Sequence, residues 1–202
     1  MGVFRNLFGG GKKGSKESVE TRGDHMPDLK IPIDEKFTIY FKKNGGKFIY
    51  CEDFSEVTEA LGSIVSENNW QDHMFYCLDP RLADRFSKEG LEFTENRRES
   101  SIFFTTCEHL VAYDGSILVC SNQIREQNVN DLPPNLIVFA TTSQLVDSLG
   151  AALKVIKERY KQGFPSNITT LKHFEPDQEN KDDFLTYGSA KKNVYLLLLE
   201  DY

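Results

Sequence analysis

Between Ser101 and Val119 the sequence places a thiol, a carboxylate and an imidazole side by side, Cys107-Glu108-His109, and follows them with a second carboxylate in the turn Tyr113-Asp114-Gly115-Ser116. These residue types supply nucleophiles, general bases and anion-binding backbone. A thiolate nucleophile needs a base within about 3 Å, and adjacent positions rarely face one another, so a Cys107–His109 pair is the weaker reading. A free cysteine more often packs as a small hydrophobe. Asp-Gly is first of all a turn signal, because Asp bonds nearby backbone N–H groups and Gly permits positive φ. Its functional reading is a pocket in which the N–H groups of Gly115 and Ser116 receive a phosphate or carboxylate. Asp114 would then bind a hydroxyl or act as a base. Thr105 and Thr106 end the apolar run Ile102–Phe104, the end of a strand where open α/β sheets bind ligands. Glu108 or His109 would stand at the mouth of the same pocket. The candidate ligand-binding residues are thus Thr105, Thr106, Glu108, Tyr113, Asp114, Gly115 and Ser116, with Asp114 the candidate for catalysis. Asn122, Gln123 and Arg125 either reach that pocket or form a solvated loop. His73 and His173 stand alone among apolar residues and are expected to pack.

These residues need a scaffold, and the chain supplies an alternation of helix and strand patterns. Residues 34–44 carry Phe37, Tyr40 and Phe41 at helical spacing before Gly45-Gly46; Phe37–Phe41 would equally suit a strand by propensity. Lys47–Cys51 reads as a strand. Asp53 caps a following helix with Glu56 three residues on, and Val57, Leu61, Ile64 and Val65 form its apolar stripe. His73–Leu78 is a strand, and Asp79-Pro80 opens a short helix containing Leu82 and Phe86 and ending at Gly90. Residues 120–131 are polar and run into Pro133-Pro134, which forces an extended turn. Asn135–Ala140 reads as a strand buried on both faces. Thr141 with Gln144 predicts a capping box for a helix reaching Tyr160, striped by Leu145, Leu149, Leu153 and Ile156. Ile168–Phe174 is a further strand candidate, 175–184 an acidic loop, and Val194–Leu199 a central final strand. Alternating βα units predict an α/β fold: an open, mostly parallel sheet with helices on both faces.

The totals narrow the function. At 202 residues the chain is long enough for one sizeable core. Its 39% hydrophobic and 27% charged residues are those of an ordinary soluble protein, and no apolar run approaches the ~20 residues that span a bilayer. A net charge of −7 argues against nucleic acid. Residues 1–16 nevertheless carry +4, leaving −11 on the rest. Residues 1–30, with Gly9–Gly11 and the lysines that follow, read as a flexible basic tail, and 31–202 as the folded domain. Val3, Phe4, Leu7 and Phe8 would suit a short anchor on an acidic membrane surface, but so short an apolar face favours a plain disordered tail. Four scattered cysteines with no C-x-x-C pair and no secretory signal read as buried, reduced thiols of a cytoplasmic protein. Zinc and iron–sulfur sites lack the spacing they require, so neither metal nor cofactor is expected.

In their order along the chain these pieces resemble the lactate-utilisation (LUD) domain family of LutC/YkgG-like proteins. Three stretches carry the resemblance: Asp34–Cys51; Ala112-Tyr113-Asp114-Gly115-Ser116, where the family typically reads Ala-Glu-Thr-Gly-Thr; and Pro133–Val138 with Pro165-Ser166-Asn167-Ile168-Thr169 after the long helix. The resemblance implies a fold related to ribose-5-phosphate isomerase, glucosamine-6-phosphate deaminase and coenzyme A transferase (NagB/RpiA/CoA transferase-like). It also implies a role beside iron–sulfur subunits that oxidise L-lactate to pyruvate. This sequence departs at the central motif, with Tyr113 at the family's Glu position and its acid one residue later. Two functions stay open: a non-catalytic or accessory subunit, or an enzyme acting on a small phosphorylated or carboxylated metabolite at Thr105–Ser116.

Overall fold

The computed structural model describes residues 31–174 and 192–201; the expected tail (1–30) and the whole of the expected acidic loop (175–184) lie outside them. In chain order the elements are α1 (Ile33–Lys43), β1 (Lys47–Cys51), α2 (Phe54–Glu67), β2 (Met74–Tyr76), α3 (Pro80–Ser87), β3 (Glu92–Thr94), β4 (Ile102–Thr105), β5 (His109–Val111), β6 (Ser116–Val119), α4 (Ser121–Ile124), β7 (Asn135–Thr141), β8 (Leu145–Val146), α5 (Leu149–Arg159), β9 (Thr169–Leu171) and β10 (Asn193–Leu199). None of the described helices is long and apolar enough to cross a membrane.

Six strands form a parallel sheet in the order β1-β10-β7-β4-β2-β3. The apolar runs at β7 and β10 predicted buried strands, and these two occupy its middle, paired from Asn193–Asn135 to Leu199–Thr141. Because side chains alternate along a strand, Tyr195, Leu197, Ile137 and Phe139 face one way, against Val57, Leu61 and Ile64 of α2 and Leu82 and Phe86 of α3. Phe86 is fully buried and meets Phe54, Phe104 and Phe139 at ring-centroid distances of 4.9–5.6 Å. The expected caps form: Asp53 accepts from Glu56 N at 3.0 Å and Asp79 from Arg81 N at 3.0 Å, with Pro80 in the first turn.

Helices flank both faces of this sheet, as expected, and the opposite face carries a second sheet as well. Val194, Leu196, Leu198, Leu136 and Val138 pack against α1 and a second, four-stranded sheet ordered β8-β5-β6-β9. The open choice at Phe37–Phe41 resolves as helix: Phe37 and Phe41, one turn apart, stack at 5.4 Å and are fully buried. Each such burial contributes roughly 1.5–3 kcal/mol. In the second sheet β5 and β6 form an antiparallel hairpin around the Asp-Gly turn, β8 runs parallel to β5, and β9 pairs antiparallel with β6. Its outer face carries α5 through Val111, Leu118, Ala152 and Ile156.

Two expectations about α5 are corrected. The Thr141–Gln144 box exists, with Thr141 N donating to Gln144 Oε1 at 2.8 Å, but it closes a single 3-10 turn, Thr142–Gln144. Leu145 then pairs with Leu110 as a strand, and α5 starts at Leu149, capped by Ser148. Leu149 and Leu153 are consequently exposed, while Ala152 and Ile156 are buried. The two histidines expected to pack, His73 and His173, are both exposed.

Candidate functional site

β4 delivers the chain to the C-terminal edge of the main sheet, where Thr105 is buried and donates to the carbonyl of Thr106 at 3.2 Å, with Thr106 half-buried beside it. The backbone then turns back into β5. His109, expected with Glu108 at the mouth of a pocket, is instead the buried first residue of β5, opposite Leu118, because the hairpin offers it a partner strand.

Glu108 precedes it and is 2% exposed, a carboxylate set inside the protein rather than at a pocket mouth. It survives there because five side chains donate to it. Cys120 Sγ (3.3 Å), Asn122 Nδ2 (3.1 Å) and Gln123 Nε2 (3.1 Å) reach Oε1 from the end of β6 and the single turn of α4. Arg159 reaches Oε2 at 3.3 Å, and the Tyr160 hydroxyl stands 3.1 and 3.3 Å from the two oxygens, both from the end of α5. Burial alone would raise this acid's pKa, but the donors outweigh it and hold Glu108 below the usual carboxylate range. Tyr160 and Cys120 respond in the opposite sense. Burial, reinforced by the Glu108 charge, pushes the phenol up and the Cys120 thiol to about 12.

The Asp-Gly turn is closed in the same way. Asp114 Oδ1 accepts from Ser116 N at 3.2 Å and Ser116 Oγ at 2.7 Å, and Oδ2 pairs with Lys172 at 3.3 Å. Burial would raise its pKa, but these partners depress it. Gly115 N donates to Val111 O at 2.9 Å. Both N–H groups predicted to receive an anion are therefore occupied within the turn, because its tight geometry directs them inward. The turn also seats on α1: Asn44 Nδ2 donates to Asp114 O at 2.7 Å, and Gly115 has φ +68°. A Cβ there would lie 2.3 Å from Phe41 N. Tyr113, at the family's Glu position, is 69% exposed, with Lys36 Nζ 5.7 Å from its ring centre.

The predicted residues thus divide between the two ends of the β5–β6 hairpin. Thr105, Thr106 and Glu108 lead from β4 into β5, and Tyr113–Ser116 lie at the other end of the hairpin. Of the residues expected to extend the site, Asn122 and Gln123 join Glu108, while Arg125 turns away to Glu95 at 2.8 Å. Cys120, Arg159, Tyr160, Asn44 and Lys172 were not anticipated as site residues; the adjacency of Arg159 and Tyr160 at a helix end gives no sign of a partner 51 positions away. His109 donates from Nδ1 to Gln144 O at 3.2 Å, its Nε2 is buried without a hydrogen-bond partner among the described residues, and burial lowers its pKa. Cys107, buried and pushed well above the ordinary thiol range by desolvation, is no activated nucleophile. Cys51 and Cys77 are likewise free, buried and raised to about 12 and about 11. Among the described residues no group of three His, Cys, Asp or Glu could hold a metal ion.

At the C-terminal edge proper, β7 and β10 bring Thr142, Ser143 and Asp201 together next to β4. Asp201 accepts from Thr142 Oγ1 (2.8 Å), Ser143 N (2.8 Å) and Ser143 Oγ (2.6 Å), and these bonds outweigh partial burial to lower its pKa.

Comparison with known proteins agrees with this architecture. The family model described as the LUD domain matches residues 35–199. No curated protein matches the chain. Among solved structures, a DUF162 family protein from Deinococcus radiodurans superposes with a TM-score of 0.58 at 12% identity, over 83% of this chain and 96% of that one. At that identity the likeness is one of fold.

Proposed function

The chain belongs to the LUD domain family, and from that premise we propose that it is a LutC/YkgG-like lactate-utilisation protein. In this reading it is a non-catalytic or accessory subunit, acting in the cytoplasm and supporting oxidation of L-lactate to pyruvate by iron–sulfur partners. One observation carries the reading: both carboxylates of the central stretch, Glu108 and Asp114, are ionised and closed upon by internal donors. A base must reach the proton it removes, and a nucleophilic carboxylate must reach an acyl carbon. Neither is open to Glu108 in its cage, and the acid at Asp114 stands one residue away from the family's Glu. Electron transfer is assigned to partners because the four cysteines have no cluster spacing.

A second reading is favoured by the C-terminal edge, where Thr142, Ser143 and Asp201 hydrogen-bond beyond the ends of β7 and β10, with Thr105 ending the neighbouring strand β4, at the side where such sheets bind ligands. There the protein would be an enzyme acting on a small phosphorylated or carboxylated metabolite. One experiment separates the two. The tagged full chain is expected to retain iron–sulfur subunits from its native cell extract, detected by their visible absorbance and by mass spectrometry. In a thermal-shift series, the enzyme reading instead expects stabilisation by a sugar phosphate or coenzyme A that Asp201→Asn abolishes. That second result without retained subunits overturns the accessory role.

A further inference from the structure

At the N-terminal ends of β7 and β10, between the two sheets, lies a cavity of about 220 Å³. Its floor is apolar. Leu136 and Val194 are register partners on the same face of the main sheet, and Leu171 and Phe174 wall it from β9 and the chain just beyond. Two lysines, Lys192 and Lys172, complete the lining. Lys192 is 5% exposed, and its Nζ donates to the carbonyls of Leu132 and, at 3.4 Å, Asn130. Among the described residues no carboxylate forms a salt bridge with it. Burial lowers the pKa of Lys192, with Asp131 opposing. An ammonium has three N–H donors, so two carbonyl contacts leave one. A buried cation is costly unless an anion answers it. Lys172, the second lysine lining the cavity, is ion-paired with Asp114 at 3.3 Å.

We infer that this cavity binds a short-chain monocarboxylate, its carboxylate between Lys192 and Lys172 and its alkyl part on Leu136, Val194 and Phe174. The volume lies below the ~300 Å³ at which drug-sized sites begin, so a ligand of a few heavy atoms fits and a nucleotide does not. A phosphate would leave the apolar floor uncovered, and a dicarboxylate would force its second charge onto that floor. Asp114 is then a positioning residue: it orients Lys172 at the rim and does not touch the ligand. The site stands at the opposite end of the strands from Thr105 and Asp201 and does not depend on the lactate reading.

Isothermal titration of the full chain with butyrate tests this. Saturable one-site binding is expected. Lys192→Met, which keeps the apolar stem, should weaken it about tenfold or more, the loss of one charge-assisted hydrogen bond. Asp114→Asn should weaken it a few-fold, and Lys36→Met, which removes a lysine elsewhere, not at all. Failure to saturate by roughly 20 mM, unchanged binding in Lys192→Met, or equal competition by inorganic phosphate overturns the assignment. Should Lys192→Met fail to fold, reductive methylation of the wild type decides. Butyrate should slow modification of Lys192 several-fold and leave Lys36 unaffected, whereas equal rates at Lys192 with and without butyrate overturn the site.

Discussion

Exchanging Glu108 for glutamine removes one negative charge from the cage and little else. Oε1 takes Cys120, Asn122, Gln123 and Tyr160 at 3.1–3.3 Å, and Oε2 takes Arg159 and Tyr160 at 3.3 Å. A glutamine can leave its oxygen among the first set, but its NH2 then points at the Arg159 guanidinium. Hydrogen bonds to an ionised acceptor contribute about 1.5–3 kcal/mol, neutral ones about 1. Arg159 is half exposed, so its share is screened to at most about 1 kcal/mol. The expected loss is about 2 kcal/mol for Glu108→Gln, and about 3–4 kcal/mol for Glu108→Ala, which strips the buried Gln123 amide of its acceptor. In a chain of this size that corresponds to roughly 4–8 °C in Tm for the glutamine variant. Acid titration adds a second signature. The folded pKa of Glu108 lies below its unfolded value, so its contribution is complete above about pH 4.3 and fades as pH falls through the lower folded value. Urea unfolding across pH 3–7 should show Glu108→Gln less stable at neutrality and converging on wild type in acid. A variant within about 0.5 kcal/mol of wild type at pH 7, with the same acid slope, would refute the idea that this cage joins α5 to the hairpin.

Other outcomes follow from the same geometry. Gly115→Ala should cost about 3 kcal/mol or more, since its Cβ meets the Phe41 and Tyr40 backbone at positive φ, whereas Gly90→Ala, also at positive φ but in open space, should cost about 1; paired urea titrations compare them. Phe86→Ala should lose about 3–5 kcal/mol from the ring cluster under α3, read by thermal denaturation. A thiol reagent at pH 8 should find the four cysteines slow in the native chain and fast in urea, because all are buried and those at Cys51, Cys77 and Cys120 have pKa values of about 11–12.

What the sequence made legible divides along physical lines. β7 and β10 announce themselves because burial on both faces requires unbroken apolar runs, and α2 and α3 because caps and periodicity act locally. β5 and β8 do not: three- and two-residue strands have no pattern of their own and exist only because a partner lies alongside. Leu145 therefore read as helix, and the second sheet went unseen. The site behaved alike. Glu108 and Asp114 were nameable from residue type, but their cages draw on Arg159, Tyr160 and Lys172, brought close only by the fold. Lys192 offered no signal at all, since a lysine before an apolar run is ordinary until its burial is known.

The position of β10 also bears on how the chain is made. It lies between β1 and β7, so β1 has no partner in the main sheet until the strand last in sequence has been synthesised. At roughly 5–20 residues per second, an emerging β1 waits on the order of ten seconds or more with an open edge, a template for mispairing. The lysine at its start, Lys47, and the helix that follows are what nascent chain and chaperone have to work with during that interval, and the sheet closes only after translation has passed Leu199.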